Sequence, residues 1–137
     1  MQHAIDNQSA RQLNSCGVTE LFIPGSLNAG KPWLLPMMSQ LSAMAGSRWL
    51  SWIGQHELRR EEALQYGLSA RNLRLIHSRD TDDTLWAFWE ALNNGTSAYV
   101  VATLPLPTSR LDARHMDYLN QAALNGECRG LLITSTN

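Results

Sequence analysis

One stretch of the sequence has the spacing of a phosphate-binding loop. Residues Gly25–Lys31 fit the pattern G-x-x-x-x-G-K and lie between a predicted strand and a predicted helix. A working loop needs a Ser or Thr after the lysine, to bind Mg²⁺ and to donate a backbone N–H. Pro32 has neither a hydroxyl nor an N–H. No predicted strand ends in the aspartate that would hold the metal. Nucleotide hydrolysis is therefore an alternative function and not the main prediction.

Other groups that could do chemistry are not arranged for it. The four histidines have no metal-ligand spacing: His3, His56, His77 and His115. Cys16 and Cys128 lie far apart and outside any C-x-x-C, so we predict two free thiols. Two pairs of neighbouring carboxylates occur, at positions 61–62 and 82–83. In each pair the two side chains point away from each other around the helix and do not converge on one site. We therefore predict no catalytic residue, no metal site and no cofactor.

The composition excludes several broad classes of protein. The chain has 137 residues, of which 44% are hydrophobic and 17% are charged, so it can bury one core and is not intrinsically disordered. Its net charge is −1, which excludes a strongly basic footprint for nucleic acid. No apolar run approaches the length of a membrane span. We therefore expect a soluble intracellular protein that binds neither nucleic acid nor membranes.

Strand and helix patterns alternate along the chain from Val18 onward. Residues 1–17 are polar and lack a period, which predicts a flexible tail, and residues 18–137 are predicted to form a single α/β domain. Short apolar runs predict five strands, at 19–24, 48–53, 72–77, 98–104 and 130–134. Amphipathic segments predict four helices, at 36–45, 59–66, 78–93 and 112–125. Strict alternation predicts an α/β fold with a mostly parallel central sheet flanked by helices.

The basic residues are concentrated in one part of the chain. Residues 46–79 hold six arginines against three glutamates, whereas residues 80–137 hold three arginines against seven acidic residues. Trp49 and Trp52 lie in the basic stretch, and alternation along a strand places them on opposite faces of the sheet. Arginine and tryptophan are enriched where protein interfaces are most tightly packed. The basic stretch therefore predicts a binding surface for another protein.

Several short motifs, in linear order, resemble a known family. They are Leu34–Leu41, Ser47–Ile53 with its Ser-Arg-Trp, Leu58–Glu61, and the two Asn-Gly pairs at 94–95 and 125–126. In this order the chain resembles the SulA family of SOS cell-division inhibitors. The resemblance covers about residues 33–133, and the order of the motifs carries it.

The resemblance implies a function and a mechanism. Proteins of this family are made after DNA damage in the bacterial cytoplasm. They bind the division GTPase FtsZ and prevent its polymerisation, so that septation stops. The family fold is an α/β sandwich similar to RecA-type domains, without nucleotide binding, and the family is not enzymatic. The resemblance also implies a homodimer and degradation by the protease Lon through a C-terminal tail, of which four residues follow Ile133 here.

The resemblance further implies where the partner binds. The functional region of the family falls on the strand 48–53, the helix 59–66 and the start of the next strand. Arg48 matches the family's arginine in Ser-Arg-Trp, so we expect Arg48→Ala to weaken inhibition without unfolding the domain. The predicted FtsZ-binding residues are Arg48, Trp52, Ile53, Arg59, Glu62, Arg71 and Asn72.

Two other functions stay open on the sequence. The first is a small NTPase that uses Gly25–Lys31, and it predicts nucleotide binding. The second is a binding module for another protein of the DNA-damage response, and it predicts binding to RecA but not to FtsZ.

Overall fold

Five strands and four helices alternate along the chain. The computed structural model describes residues 16–54, 58–68, 71–105 and 112–135. The strands are β1 (Gly17–Ile23), β2 (Trp49–Gly54), β3 (Leu73–His77), β4 (Ser97–Pro105) and β5 (Arg129–Ser135). The helices are α1 (Leu27–Met44), α2 (Arg60–Gln65), α3 (Thr81–Asn93) and α4 (Ala113–Asn125). The predicted alternation is confirmed. Residues 1–15 of the predicted tail lie outside the described residues, and its last residue, Gly17, begins β1.

All five strands form one parallel sheet in the order β1-β5-β4-β2-β3. The chain moves across the sheet in one direction from β1 to β3 and in the opposite direction from β3 to β5. Because parallel crossovers are right-handed, this reversal places α1 and α2 on one face and α3 and α4 on the other. The result is a three-layer α/β/α arrangement with β1 and β3 at the edges, which confirms the predicted fold class.

Each face of the sheet has its own hydrophobic core. On the α1–α2 face, Leu34 and Met38 of α1 pack against Trp52 of β2 and Val101 of β4. On the α3–α4 face, the core residues come from both helices and three strands, namely Ile53, Phe88, Leu92, Val100, Ala102, Leu119, Ala122, Ala123 and Leu132. The central strands are buried on both faces, which explains why β4 has a continuous apolar sequence without alternation.

The predicted start of α1 is wrong by nine residues. The sequence predicts that Pro36 opens this helix, with Gly25–Lys31 as a loop, but the helix already begins at Leu27. Ser26 is the N-cap, and its Oγ accepts a hydrogen bond from the Ala29 N–H at 3.2 Å. Two prolines lie inside the helix at exposed positions, where water can hydrogen-bond the carbonyls that lose their partner.

Within the described residues, no helix combines the length and the apolar character that a membrane crossing requires.

Candidate functional site

Arg48 holds together the carboxyl-terminal ends of two helices. It lies just before β2, at the edge of the sheet where the strands begin. Its guanidinium donates hydrogen bonds to the carbonyls of Glu127 at 2.8 Å, Gly95 at 3.1 Å and Gly126 at 2.7 Å. Gly95 follows α3, and the other two follow α4, so one positive charge lies at the negative ends of both helix dipoles. We name this arrangement the Arg48 clamp.

The clamp joins motifs that are far apart in the sequence. The arginine of Ser-Arg-Trp meets the glycines of both Asn-Gly pairs. A side chain at Gly126 would meet the carbonyl of Leu92, so glycine is needed where the two helix ends approach each other. Glu127 has a positive φ of 51°, and its carbonyl accepts from Arg48. The clamp therefore offsets the strain of an unfavourable backbone conformation.

Arg74 is a second arginine with a structural role. On the α3–α4 face, it donates to the hydroxyls of Thr96 at 2.8 Å, Ser97 at 3.1 Å and Ser51 at 3.2 Å. Its guanidinium carbon lies 5.0 Å from the centroid of the Trp49 ring, which is cation–π contact distance. Ser51 and Ser97 are fully buried, so Arg74 donates hydrogen bonds to hydroxyl groups that water cannot reach. It ties the edge strand β3 to β2 and β4.

Two of the predicted contact residues lie in the core. The side chains of Trp52 and Ile53 are 1% and 0% exposed, on opposite faces of the sheet. A buried side chain presents no surface to a partner. Trp52 packs under α1, and Ile53 packs under α3 and α4, so both side chains belong to the hydrophobic cores.

Arg59 and Glu62 lie at the start of α2. Glu62 accepts a hydrogen bond from the Arg59 N–H at 3.2 Å and lies 3.4 Å from Lys31 Nζ of α1. The Arg59 N–H, with a smaller contribution from Lys31, holds the pKa of Glu62 below its ordinary value of 4.5. Glu62 thus caps α2 and ties it to α1, whereas Arg59 is exposed.

Arg71 and Asn72 lie just before β3. Asn72 is half-buried, and it exchanges two hydrogen bonds with Ser42 near the end of α1. Ser42 Oγ donates to Asn72 Oδ1 at 2.8 Å, and Asn72 Nδ2 donates to the Ser42 carbonyl at 2.7 Å. Asn72 is therefore a positioning residue, whereas the neighbouring Arg71 is exposed.

Helix α2 and strand β3 also carry two exposed leucines that the sequence does not single out. Helix α2 connects β2 to the edge strand β3 and covers the sheet beside it. Leu64 of α2 is 66% exposed, and Leu75 of β3 is 38% exposed. Leu73 packs in the core under α2. Leu75 lies two residues further along β3, so its side chain points to the same face of the sheet. We name the α2–β3 surface by its members: Arg59, Glu62, Leu64, Arg71, Asn72 and Leu75. Arg48 lies outside it.

The Gly25–Lys31 stretch does not form a phosphate-binding loop. Residues 27–31 are the first turns of α1, so their backbone is helical and cannot wrap around a phosphate. Gly30 is buried against Ile23, and the Lys31 ammonium pairs with Glu62. The stretch therefore serves helix capping and packing in this fold.

No group of three or more His, Cys, Asp or Glu among the described residues could hold a metal ion. Both cysteines are free thiols. Burial raises the pKa of the Cys128 thiol to about 11, and its Sγ donates to the Leu92 carbonyl at 3.3 Å. This cysteine behaves as a small core residue and not as a nucleophile.

Comparisons with known proteins agree on one family. The family model described as cell division inhibitor SulA matches residues 27–130, from α1 to the start of β5. Among solved structures, the crystal structure of SulA from Pseudomonas aeruginosa is similar, with a TM-score of 0.73 and 28% sequence identity. The alignment covers 86% of this chain and 97% of that one. No curated protein sequence matches.

Proposed function

The chain belongs to the SulA family of cell division inhibitors, and we propose that it halts septation in the SOS response by binding FtsZ and blocking its polymerisation. The observation that carries this proposal is the family match over residues 27–130, which includes the whole α2–β3 surface and the Arg48 clamp. The likeness to a solved SulA structure over 86% of this chain supports it.

We place the FtsZ contact on the α2–β3 surface. Arg59 is the N-cap residue of α2, Arg71 lies just before β3, and both are exposed. Leu64 of α2 and Leu75 of β3 supply exposed apolar area. FtsZ completes its GTPase site with an acidic loop from the next subunit, so an arginine-bearing surface is complementary to the end of FtsZ that carries this loop. Trp52 packs in the core on the α1–α2 side of the sheet, and Asn72 is held in place by its two hydrogen bonds to Ser42.

The mechanism follows from how filaments grow. FtsZ subunits associate head to tail, through two different surfaces. A protein that covers one of these surfaces removes subunits from the polymerising pool by mass action. Since the GTPase site is completed only between two subunits, GTP hydrolysis falls together with polymerisation. No catalytic group is needed on the inhibitor.

The test is sedimentation of FtsZ with GTP while this protein is titrated in. We expect the pellet and the GTPase rate to fall together near equimolar protein. Arg59→Glu and Arg71→Glu should each weaken the inhibition, whereas Arg129→Glu is a matched control with the same charge change at an exposed residue of β5. A pellet that is unchanged at several-fold excess of protein would overturn the proposal.

The same samples decide between the alternatives. Binding of nucleotide in a thermal-shift experiment would favour the NTPase alternative. Binding to RecA without binding to FtsZ would favour a different partner in the DNA-damage response. The homodimer, the turnover by Lon and the division into a tail at 1–17 and a domain at 18–137 stay predictions. Analytical ultracentrifugation tests the homodimer.

A further inference from the structure

A groove lined by aromatic residues runs between α3 and α4, on the face of the sheet opposite to α2. It has a volume of about 370 Å³. The α3 side consists of Leu85, Trp86 and Trp89, and the α4 side of His115, Tyr118 and Leu119. The groove is separate from the α2–β3 surface, so it is not explained by the proposed FtsZ contact.

Two aromatic side chains of this groove are exposed, and two of its rings are stacked. Trp86 is 60% exposed and Tyr118 is 69% exposed. The rings of Trp86 and Trp89 stack with centroids 5.6 Å apart and an angle of 19° between their planes. Large, rigid tryptophan and tyrosine side chains lose little conformational entropy on binding, and they are typical anchors of protein interfaces. Large exposed aromatic side chains at a groove between helices are typical of a site that receives an apolar ridge.

The charge around the groove specifies the partner. Residues 79–93 and 112–125 carry six carboxylates and two arginines, and two of the carboxylates are paired, Asp83 with Arg79 at 3.8 Å and Asp112 with His115 at 2.9 Å. Asp82 and Glu90 are both exposed and lie one turn before and one turn after Trp86 on the same ridge of α3. A basic segment would gain from these carboxylates, and its lysines could also contact the faces of the exposed rings.

Other occupants fit this charge poorly. A second copy of the chain docked groove to groove would bring two acidic helix pairs together, which is unfavourable. Nucleic acid and anionic lipid surfaces carry the wrong sign of charge. Residues 1–15 contain one arginine and one aspartate, so they offer no excess of positive charge.

We propose that the α3–α4 groove is a second docking surface, which binds an amphipathic, lysine- or arginine-rich helix of a partner protein. The apolar ridge of that helix lies between Trp86 and Tyr118, and its basic flank faces Asp82 and Glu90. This surface binds the second partner while the α2–β3 surface remains on FtsZ, a part of the inference that rests on the proposed function.

The test uses the full chain and two fluorescein-labelled peptides of about 14 residues, or four helical turns. Both peptides carry leucines at the same helical spacing, with lysine at the remaining positions of one and glutamate in the other. Fluorescence anisotropy should show saturable binding of the lysine peptide only. Trp86→Gln should weaken this binding by about tenfold, as expected for an interface anchor. Asp82→Asn with Glu90→Gln should weaken it and reduce its dependence on salt.

A matched control is available on the other face of the sheet. Trp33 of α1 is 45% exposed, so Trp33→Gln removes an exposed tryptophan without touching the groove. It should leave peptide binding unchanged. Urea unfolding checks that the variants are folded, and Trp86→Gln should still block FtsZ polymerisation. Equal binding of both peptides, binding of neither, or equal weakening by Trp33→Gln and Trp86→Gln would each overturn the proposal.

Discussion

Replacing Arg48 with alanine is expected to destabilise the fold, whereas the sequence predicts that this change weakens inhibition without unfolding the domain. The side chain makes three hydrogen bonds of 2.7, 2.8 and 3.1 Å to backbone carbonyls of two helix ends. Alanine would leave these carbonyls to water and would remove the positive charge from both helix ends. It would also remove a partner of Glu127, whose backbone conformation is strained.

The structure permits an estimate of the loss. Two of the hydrogen bonds are exposed, and we assign them about 0.5–1 kcal/mol each, whereas the part-buried bond to Gly126 receives about 1.5 kcal/mol. The charge at the helix ends contributes about 0.3–1 kcal/mol. Since these contributions are not fully additive, we expect the free energy of unfolding to fall by about 2–4 kcal/mol. For a chain of this length, this lowers Tm by roughly 10 °C.

The assay is urea unfolding followed by tryptophan fluorescence. The midpoint of Arg48→Ala should fall with an unchanged slope m, because the folded core is the same. Arg48→Lys keeps the charge but cannot reach three carbonyls, so its midpoint should lie between those of Arg48→Ala and the native protein. Arg59→Ala, at an exposed residue, should change stability by less than about 0.5 kcal/mol.

Inhibition of FtsZ by the Arg48 variants should follow the fraction of folded protein. It should be close to normal at a temperature where Arg48→Ala is fully folded. An Arg48→Ala protein with native stability that no longer inhibits FtsZ would refute the clamp reasoning and would return Arg48 to the contact surface.

Three further predictions concern single positions. Gly126→Ala should lower stability by about 2 kcal/mol or more in urea unfolding, because the added Cβ would overlap the Leu92 carbonyl; native stability would contradict the close approach of α3 and α4. A backbone N–H holds the pKa of Glu62 below 4.5, so its stabilising effect is present above that pH and is lost as the pH falls through the lowered pKa. The native protein should therefore exceed Glu62→Gln in urea midpoint at pH 7, and a constant difference down to about pH 3 would refute this. Cys128 is 3% exposed with a pKa of about 11, so it should react with a thiol reagent only after unfolding, and rapid native labelling of both it and Cys16 would contradict this.

The order of the elements and the class of fold could be predicted because they depend on local patterns. Apolar runs separated by amphipathic segments have few solutions other than a parallel sheet covered by helices. The exception was the start of α1, since Gly, Asn and Ser between 25 and 31 favour a loop locally. The helix forms there because Ser26 caps it and because Leu34 and Met38 gain more by burial than the prolines cost.

The candidate site was only partly predictable, because a local sequence pattern does not show which side chains the fold buries. Arg59 and Arg71 were named from their place in the chain, and both are exposed. Leu64 and Leu75 gave no signal, because an apolar residue on a short helix or strand looks the same whether it is buried or exposed. Trp52 and Ile53 were named as contacts, and the sheet buries both of them.

The sequence by itself determined that the chain is an α/β domain, because strands and helices follow from the pattern of apolar residues close together in the chain. It also determined the basic middle and the acidic second half, because these can be counted directly from the residues. Only the tertiary structure decided which arginines hydrogen-bond within the fold and which side chains are exposed. Arg48 meets carbonyls that are 47, 78 and 79 residues away along the chain. Contacts over such separations arise from the crossing of α3 and α4, and no local pattern encodes them. The grouping of Trp86 with Tyr118 into one groove has the same origin.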